Sequence, residues 1–586
     1  MDVEERIRAK HFGDKEQLDF IFSNEDRIIV TAPAGCGKTT AMVSKIAREL
    51  CMGRILGNRK ILAMTFSVNA AIRIKDSVKE LLPDIVEDYK TLLQKIDIAN
   101  YHNFAMRLLY KYGYVLNSNL INLSAFQIVD DITVLNRHWL TAKDEYDFEK
   151  FNKAILEIKY DDLYNNIDSY WNILNKKLIN HNIITYNGIL VAAIKLLSIK
   201  NVSLFYCNYY QMIIIDEFQD TNLLGYLLVD KLVAGNKVYF LGDDIQKIYG
   251  FLGAIDNVLG KASSKYNAKT ITFKNNYRFT NNERMRKMDL LIRHYSENYS
   301  MPKIQAYLLL KKLKSDNEEN DFICKGIRKV FCTGNNIAIL VRAGWQGNAI
   351  AKKLEEEGIP FFNALYTETD TEYIKFYEIV NEEYHKNVSG KAVQRALRNC
   401  LSAVRERENE IYTDKGKKYI FDSLYKLLEK LFEMSRTWDG TSQERYNNID
   451  FSLGNKGLKH MMEYLNEKVI LTTIHSSKGL EWDYVIIPQM NASAFPSWKY
   501  VCKQCHEEYG CEDNYDYCVS KFIPSMERLF KEELNAFYVA MTRAKKDVFI
   551  TVNTGLNQWR YVKKTNCLIN LPGLLHQDFE WDEYIG

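Results

Sequence analysis

Thr31 to Thr40 reads TAPAGCGKTT, and the rest of the chain is organised around it. The apolar run Arg27-Ile28-Ile29-Val30 precedes it and predicts a short buried strand, while Ala41 to Leu50 predicts a helix. Strand, glycine loop and helix in that order are the context of a phosphate-binding loop. Gly35 and Gly37 lack a Cβ, so the backbone can curl closely around an anion. Backbone N–H groups there and at the helix start can then face a phosphate. The candidate cradle is Ala34, Gly35, Cys36, Gly37, Lys38, Thr39 and Thr40. Lys38 can reach the β- and γ-phosphates of a nucleotide, and the Thr39 hydroxyl can hold Mg²⁺. The strict pattern opens on glycine, and here Ala32 stands in that place.

The bulk properties narrow the class. At 586 residues the chain exceeds one core and predicts three or four domains or subdomains. With 47% hydrophobic and 26% charged residues it reads as an ordinary globular protein. A formal charge of +3 neither favours nor excludes nucleic acid, so any basic track must be local. The start, MDVEERIRAK, has no apolar core of a signal peptide, and no run of about 18 apolar residues predicts a membrane span. Eleven mostly scattered cysteines fit a reducing, cytoplasmic setting, and no membrane partner is expected. No internal repeat stands out at periods of about 20–50 residues.

Along the chain, Gln17 lies upstream of the loop, where its amide could read an adenine edge; a plain surface glutamine is the alternative. Ile61 to Phe66 predicts a strand whose end carries Thr65, Phe66 and Asn69. Residues 96–109 predict a second strand-to-helix passage, with Tyr101, His102 and Phe104 at its turn. Polar and aromatic groups at strand carboxyl ends face the ligand crevice of an open α/β sheet. Residues 112–195 predict helices without visible chemistry. Met212 to Asn222, MIIIDEFQDTN, predicts a buried strand ending in two carboxylates. Asp216 would hold Mg²⁺ through water, and Glu217 would act as general base on the attacking water. Paired acids after a fully apolar strand are costly unless matched to a cation. Val238 to Ala254, VYFLGDDIQKIYGFLGA, repeats the pattern, with Gln246 placed to sense a γ-phosphate. Tyr249 and Phe251 follow in a glycine-bounded loop, where exposed rings could stack on bases or, alternatively, fill the core beneath. Residues 311–322, KKLKSDNEENDF, read as a solvated loop. A second α/β core begins at Ile337, is interrupted by charged helices over about 366–461, and resumes with VILTTIHSSKGLEWDYVIIPQ from Val469 and EELNAFYVAMTRA from Glu532.

DEFQDTN, GDDIQKIYG, NNYR, TIHSSKGLE and YVAMTRA, in that order between Gln17 and Arg543, resemble the motifs of the UvrD/Rep/PcrA group of superfamily 1 DNA helicases. That resemblance implies an α/β fold of two RecA-like P-loop NTPase cores, each with an inserted, mainly helical subdomain. The first core would comprise 1–85 and 196–285, with 86–195 inserted; the second 286–365 and 462–586, with 366–461 inserted. ATP and Mg²⁺ would bind between the cores. By resemblance, Gln17 would read adenine with Tyr277 stacked on it. Lys38, Thr39, Asp216 and Glu217 would run hydrolysis, with Thr39 and Asp216 on the metal. Gln246, Arg278 and Arg543 would contact the γ-phosphate, and Gly479 and Glu481 the nucleotide, Glu481 at the ribose. Single-stranded or tailed DNA would cross Thr65, Phe66, Asn69, His102, Tyr249, Phe251, Thr472 and His475, with Trp559 a further stacking aromatic.

This chain departs from the family at several points. Phe251 stands for the usual Trp, and Leu252 for the usual Arg, which removes a cationic contact. Lys247 replaces a small residue and could compensate. Leu534-Asn535 replaces an arginine pair. An extra segment, 497–530, carries Cys502, Cys505, Cys511 and Cys518, with a CxxC first half that suits a structural Zn²⁺; four reduced thiols are the alternative.

Two functions compete. One is an ATP-dependent 3′–5′ single-stranded DNA translocase and helicase. The other is a DNA-sensing, nucleotide-gated ATPase subunit acting with a separately encoded nuclease and unwinding weakly alone. Gabija-type anti-phage systems resemble the second. The short stretch after Arg543 leaves no room for a nuclease domain of its own, and a short second insertion favours a partner.

Overall fold

The computed structural model describes residues 2–131, 140–233, 235–300, 303–367, 369–436, 438, 441–454, 456–492, 494–495, 524–556 and 563–585. It divides into two units, Met1–Tyr277 and Arg278–Gly586.

The first unit is built on a parallel six-stranded sheet. Its strands are β1 (Arg27–Thr31), β2 (Lys60–Thr65), β3 (Ile96–Asn100), β6 (Tyr210–Asp216), β7 (Lys237–Gly242) and β8 (Lys269–Thr272), in the order β3-β2-β6-β7-β1-β8. Two short strands, β4 (Gln127–Val129) and β5 (Ile183–Thr185), pair separately. Continuous apolar runs such as Met212–Ile215 suit a sheet buried on both faces. Alternate residues go to opposite faces accordingly: Met212 and Ile214 pack with Phe20, Ile46 and Leu241, whereas Ile213 and Ile215 pack with Leu62, Met64 and Phe240. Register brings the carboxyl ends into line, since Thr65 lies opposite both Asn100 and Asp216, and Thr31 opposite Gly242. The first unit's strand-end candidates, Thr65 and Asp216 among them, therefore fall on one edge of this sheet.

Strand β3 lies inside the segment 86–195 that was expected to be inserted, yet it pairs along its whole length with β2. After it come helices Tyr101–Tyr112, Ala142–Leu156, Tyr160–Ile173, Tyr186–Ser198 and Lys200–Tyr209. They share a core that includes Phe148, Phe151 and Tyr170, the last two stacked at 4.0 Å between centroids.

The second unit holds a parallel seven-stranded sheet: β9 (Ala306–Leu313), β10 (Ile337–Val341), β11 (Phe362–Ala364), β12 (Val469–Thr473), β13 (Trp482–Ile487), β14 (Ala544–Asn553) and β15 (Leu574–Gln577), ordered β11-β12-β10-β13-β14-β9-β15. Helices Thr371–Asn387, Gln394–Glu406, Lys418–Met434 and Ser442–Gly454 separate β11 from β12. Residues 311–322 are not a loop: β9 runs to Leu313 and a helix spans Asp316–Phe331. Ser315 caps that helix, its Oγ accepting from Glu318 N at 3.1 Å, and Asp316, Glu318 and Glu319 fill the first turn. Acids there are favoured by the helix dipole, so the charge run marks a helix start. Among the described residues no single helix is long and apolar enough to cross a membrane.

Candidate active site

The glycine loop leaves β1 at Thr31 and enters helix α3 (Lys38–Cys51). Gly37, at φ +72°, is the helix N-cap and offers no side chain to the first-turn amides, which leaves them for an anion. The positive φ favours glycine there, and a Cβ would stand 2.7 Å from Gln17 Nε2 and push that amide aside. The loop's carbonyls are held from outside. Ala34 O accepts from Asn276 Nδ2 at 3.0 Å, Gly35 O from Tyr277 N at 2.9 Å, and Cys36 O from Gln17 Nε2 at 2.8 Å. Thr39 and Thr40 are half-buried in the first helical turn.

Lys38 reaches across to the end of β6. Its Nζ lies 2.8 Å from Glu217 Oε1 and 3.2 Å from Asp216 Oδ1. Burial works against its charge, but the carboxylates of Asp216 and Glu217 outweigh that and hold its pKa above the ordinary lysine value. Burial pushes the Asp216 carboxyl up, with Lys38 opposing. Glu217 sits at φ +52°, a left-handed conformation that costs a non-glycine residue free energy and turns its side chain back toward Lys38. Its second oxygen accepts from Gln219 Nε2 at 2.5 Å. Gln219 Oε1 accepts from Asp243 N at 3.0 Å, tying the ends of β6 and β7. Gln246 donates to Asp243 Oδ2 at 2.7 Å. The role of Gln219 was missed in the sequence, although it stands inside DEFQDTN.

Gln17 and Tyr277 meet on the other side of the loop. Helix α1 (Val3–Lys10) and helix α2 (Lys15–Phe22) are joined by a turn carrying His11 and Asp14. Asp14 caps α2, its Oδ1 accepting from Gln17 N, while Oδ2 accepts from Tyr277 OH at 2.6 Å and Asn275 Nδ2 at 2.9 Å. Burial opposes the Asp14 carboxylate, but these three donors hold its pKa below the usual value. Gln17 is buried rather than a surface residue.

Three of the candidate aromatic residues lie near one another beyond the strand ends. Phe66 and Tyr249 lie 5.5 Å apart between centroids, and Tyr249 and Phe251 6.2 Å apart. Phe251 is 57% exposed and so does not fill a core. Gly253, at φ +80°, closes this loop where a Cβ would come within 2.5 Å of Ile155 O. Thr65 Oγ1 and His102 Nε2 are enclosed without a hydrogen-bond partner among the described residues. Burial lowers the His102 pKa to about 4, so its ring is neutral. Asn69 lies in helix α4 (Val68–Ile85). Lys247 does not compensate for Leu252: it is buried and ion-paired with Asp256, while Leu252 stays exposed.

In the second unit, Arg278 donates to Thr542 O and pairs with Glu481. Arg543 is buried and donates from Nε to Val539 O at 3.0 Å and from Nη1 to Leu480 O at 3.4 Å. Gly479 has φ +86° beside them. Thr472 is buried at the end of β12, and His475 is half-buried just beyond. Trp559 and the cysteines 502, 505, 511 and 518 lie outside the described residues.

Known proteins resemble this chain over most of its length. The UvrD/REP helicase N-terminal domain matches residues 14–267, and the UvrD-like helicase C-terminal domain matches residues 362–555. DNA helicase II of Rickettsia typhi is 24% identical, with 92% of each chain covered. The ATP-dependent DNA helicase PcrA of Staphylococcus epidermidis is 23% identical over 92% of this chain and 82% of its own. PcrA of Bacillus subtilis is 27% identical over 59% of this chain and 49% of its own. A solved structure of yeast Dbp5 with RNA and ADP BeF3 aligns at 11% identity with a TM-score of 0.38, too loose a likeness to carry weight. The two domain matches lie in family order over most of the chain, which belongs to the UvrD/REP helicases, enzymes that hydrolyse ATP.

Proposed function

We propose that this chain is an ATP-driven motor that moves 3′ to 5′ along single-stranded DNA and opens tailed duplexes. The observation that carries the ATP-driven part of the reading is the Lys38 ammonium, held between Asp216 and Glu217 at the mouth of a glycine loop, while the polarity rests on the resemblance alone. An arriving triphosphate would take Lys38 from the carboxylates, which frees Glu217 Oε1 to accept a proton from water. The Thr39 hydroxyl and the Asp216 carboxylate are hard oxygen donors of the kind Mg²⁺ takes, and a cationic partner already compensates the buried Asp216 charge. The metal would neutralise charge on the phosphates. Gln246 would sense the γ-phosphate; Arg278 and Arg543 would stabilise charge there once Arg543 exchanges its bonds to Val539 and Leu480 carbonyls for phosphate oxygen.

The Phe66–Tyr249–Phe251 row supports base stacking. DNA is favoured because the relatives are named DNA helicases. The test is ATPase and strand separation by the purified chain on duplexes with a 3′ or a 5′ tail. DNA-stimulated ATPase with unwinding from the 3′ tail supports the proposal. ATPase without unwinding from either tail points to the nucleotide-gated subunit that works with a separate nuclease. Cys502, Cys505, Cys511 and Cys518 are proposed to hold one structural zinc, which metal analysis of the purified chain would detect.

A further inference from the structure

Gln17 makes two side-chain hydrogen bonds among the described residues. Nε2 donates to Cys36 O at 2.8 Å, and Oε1 meets His11 Nδ1. His11 Nε2 meets Ser44 Oγ at 2.8 Å on the first turns of α3. The Cys36 carbonyl can only accept, so it dictates the direction of the whole chain. Nε2 must face it, which turns Oε1 toward His11. His11 must then carry its proton on Nδ1 and accept the Ser44 hydroxyl proton at Nε2. Burial lowers the His11 pKa, which keeps this neutral form. All three side chains are buried, so water does not substitute for any partner.

The amide that results has one N–H and one oxygen lone pair uncommitted, in fixed order. Adenine presents a matching pair, N7 as acceptor and N6–H₂ as donor. Guanine presents acceptors at both N7 and O6, so its O6 would meet Gln17 Oε1 lone pair to lone pair. Cys36 sets which way the amide faces, but with that bond alone the amide could swing about it, carrying its free N–H and lone pair off the base edge and losing the discrimination.

We infer that His11, relayed through Ser44, is a positioning residue that locks the Gln17 amide in the orientation that selects adenine over guanine nucleotides. This rests on the proposed ATP site and adds a specificity determinant outside the glycine loop. His11 touches no reacting group, so its loss should act on nucleotide affinity rather than on chemistry.

The experiment measures ATP and GTP hydrolysis by wild type, His11→Leu and His11→Asn, with thermal melting of each. An asparagine amide can stand where Nδ1 stands and still donate to Gln17 Oε1. His11→Leu should raise KM for ATP roughly tenfold, leave KM for GTP unchanged or lower, and change kcat less than twofold. His11→Asn should recover most of the discrimination. Should His11→Leu fail to fold, Ser44→Ala, which frees Nε2 and loosens the ring, should show the same effect in weaker form. A parallel rise in KM for both nucleotides, or no advantage of Asn over Leu, would overturn the inference while leaving the ATP site standing. A wild-type enzyme that does not distinguish ATP from GTP would remove the base-reading role of Gln17, and the inference with it.

Discussion

Gln219 donates to Glu217 Oε2 at 2.5 Å and accepts from the backbone N–H of Asp243 at 3.0 Å. The proposed base is thus held from the neighbouring strand, and Gln219 is fully buried. Gln219→Leu removes both bonds at nearly constant volume. Loss of orientation at a reacting group costs as much as about 10²-fold in rate. We expect kcat to fall by roughly 10- to 100-fold with KM for ATP little changed. A kcat within twofold of wild type would show that Glu217 orients itself.

Glu217→Gln should stop turnover while ATP still binds. The substitution keeps the shape and the bond to Gln219 but cannot take a proton. Removing a positioned base costs ~10²–10⁴-fold. Nucleotide binding, followed by fluorescence titration, should persist because Lys38 loses a competing carboxylate. Retention of more than a tenth of the ATPase would sink the assignment.

Most of the site was legible because its chemistry sits at strand ends, where an apolar run stops and a charged or glycine-rich cluster begins. Lys38, Asp216, Glu217, Tyr249 and Phe251 were reached that way, whereas Phe66 entered as a DNA contact only through resemblance. Arg278 and Arg543 came only through resemblance, since a lone arginine carries no pattern of its own. His11 and Gln219 were not reached at all. Each acts by touching another side chain, and neither spacing nor hydropathy encodes a contact between the start of α1's turn and α3, or between adjacent strand ends. The stretch 311–322 misled for a local reason. Acids that look like a solvated loop are equally the first turn of a capped helix, and only Ser315 hints at the difference.

Arg543→Ala should reduce kcat severely, by about 10³-fold or more, the range of an arginine acting on transition-state charge. ATP affinity should change far less. Arg543 also holds Val539 and Leu480 carbonyls, so melting must be measured alongside. Arg543→Lys preserves charge but not the planar fork and should also be slow. A rise in KM at unchanged kcat would assign Arg543 to ground-state binding.

Phe251→Ala should weaken single-stranded DNA binding by roughly 1–3 kcal/mol with little dependence on base sequence. The ring is 57% exposed and is the outermost of a row that continues through Tyr249 to Phe66, 6.2 and 5.5 Å apart between centroids. Its loss opens no cavity, so the melting temperature should stay nearly constant. DNA-independent ATPase should also survive, because the ring lies on an exposed loop rather than in the glycine-loop site. The neighbouring Leu252 is 42% exposed, and Lys247 is committed to Asp256, so neither supplies this loop with a free cation. Leu252→Arg should therefore tighten binding at low salt and steepen the salt dependence by about one phosphate contact. Fluorescence anisotropy with labelled oligonucleotides at several salt concentrations reads both changes. Unchanged affinity in Phe251→Ala, together with an unchanged salt slope in Leu252→Arg, would move the DNA path off this loop altogether.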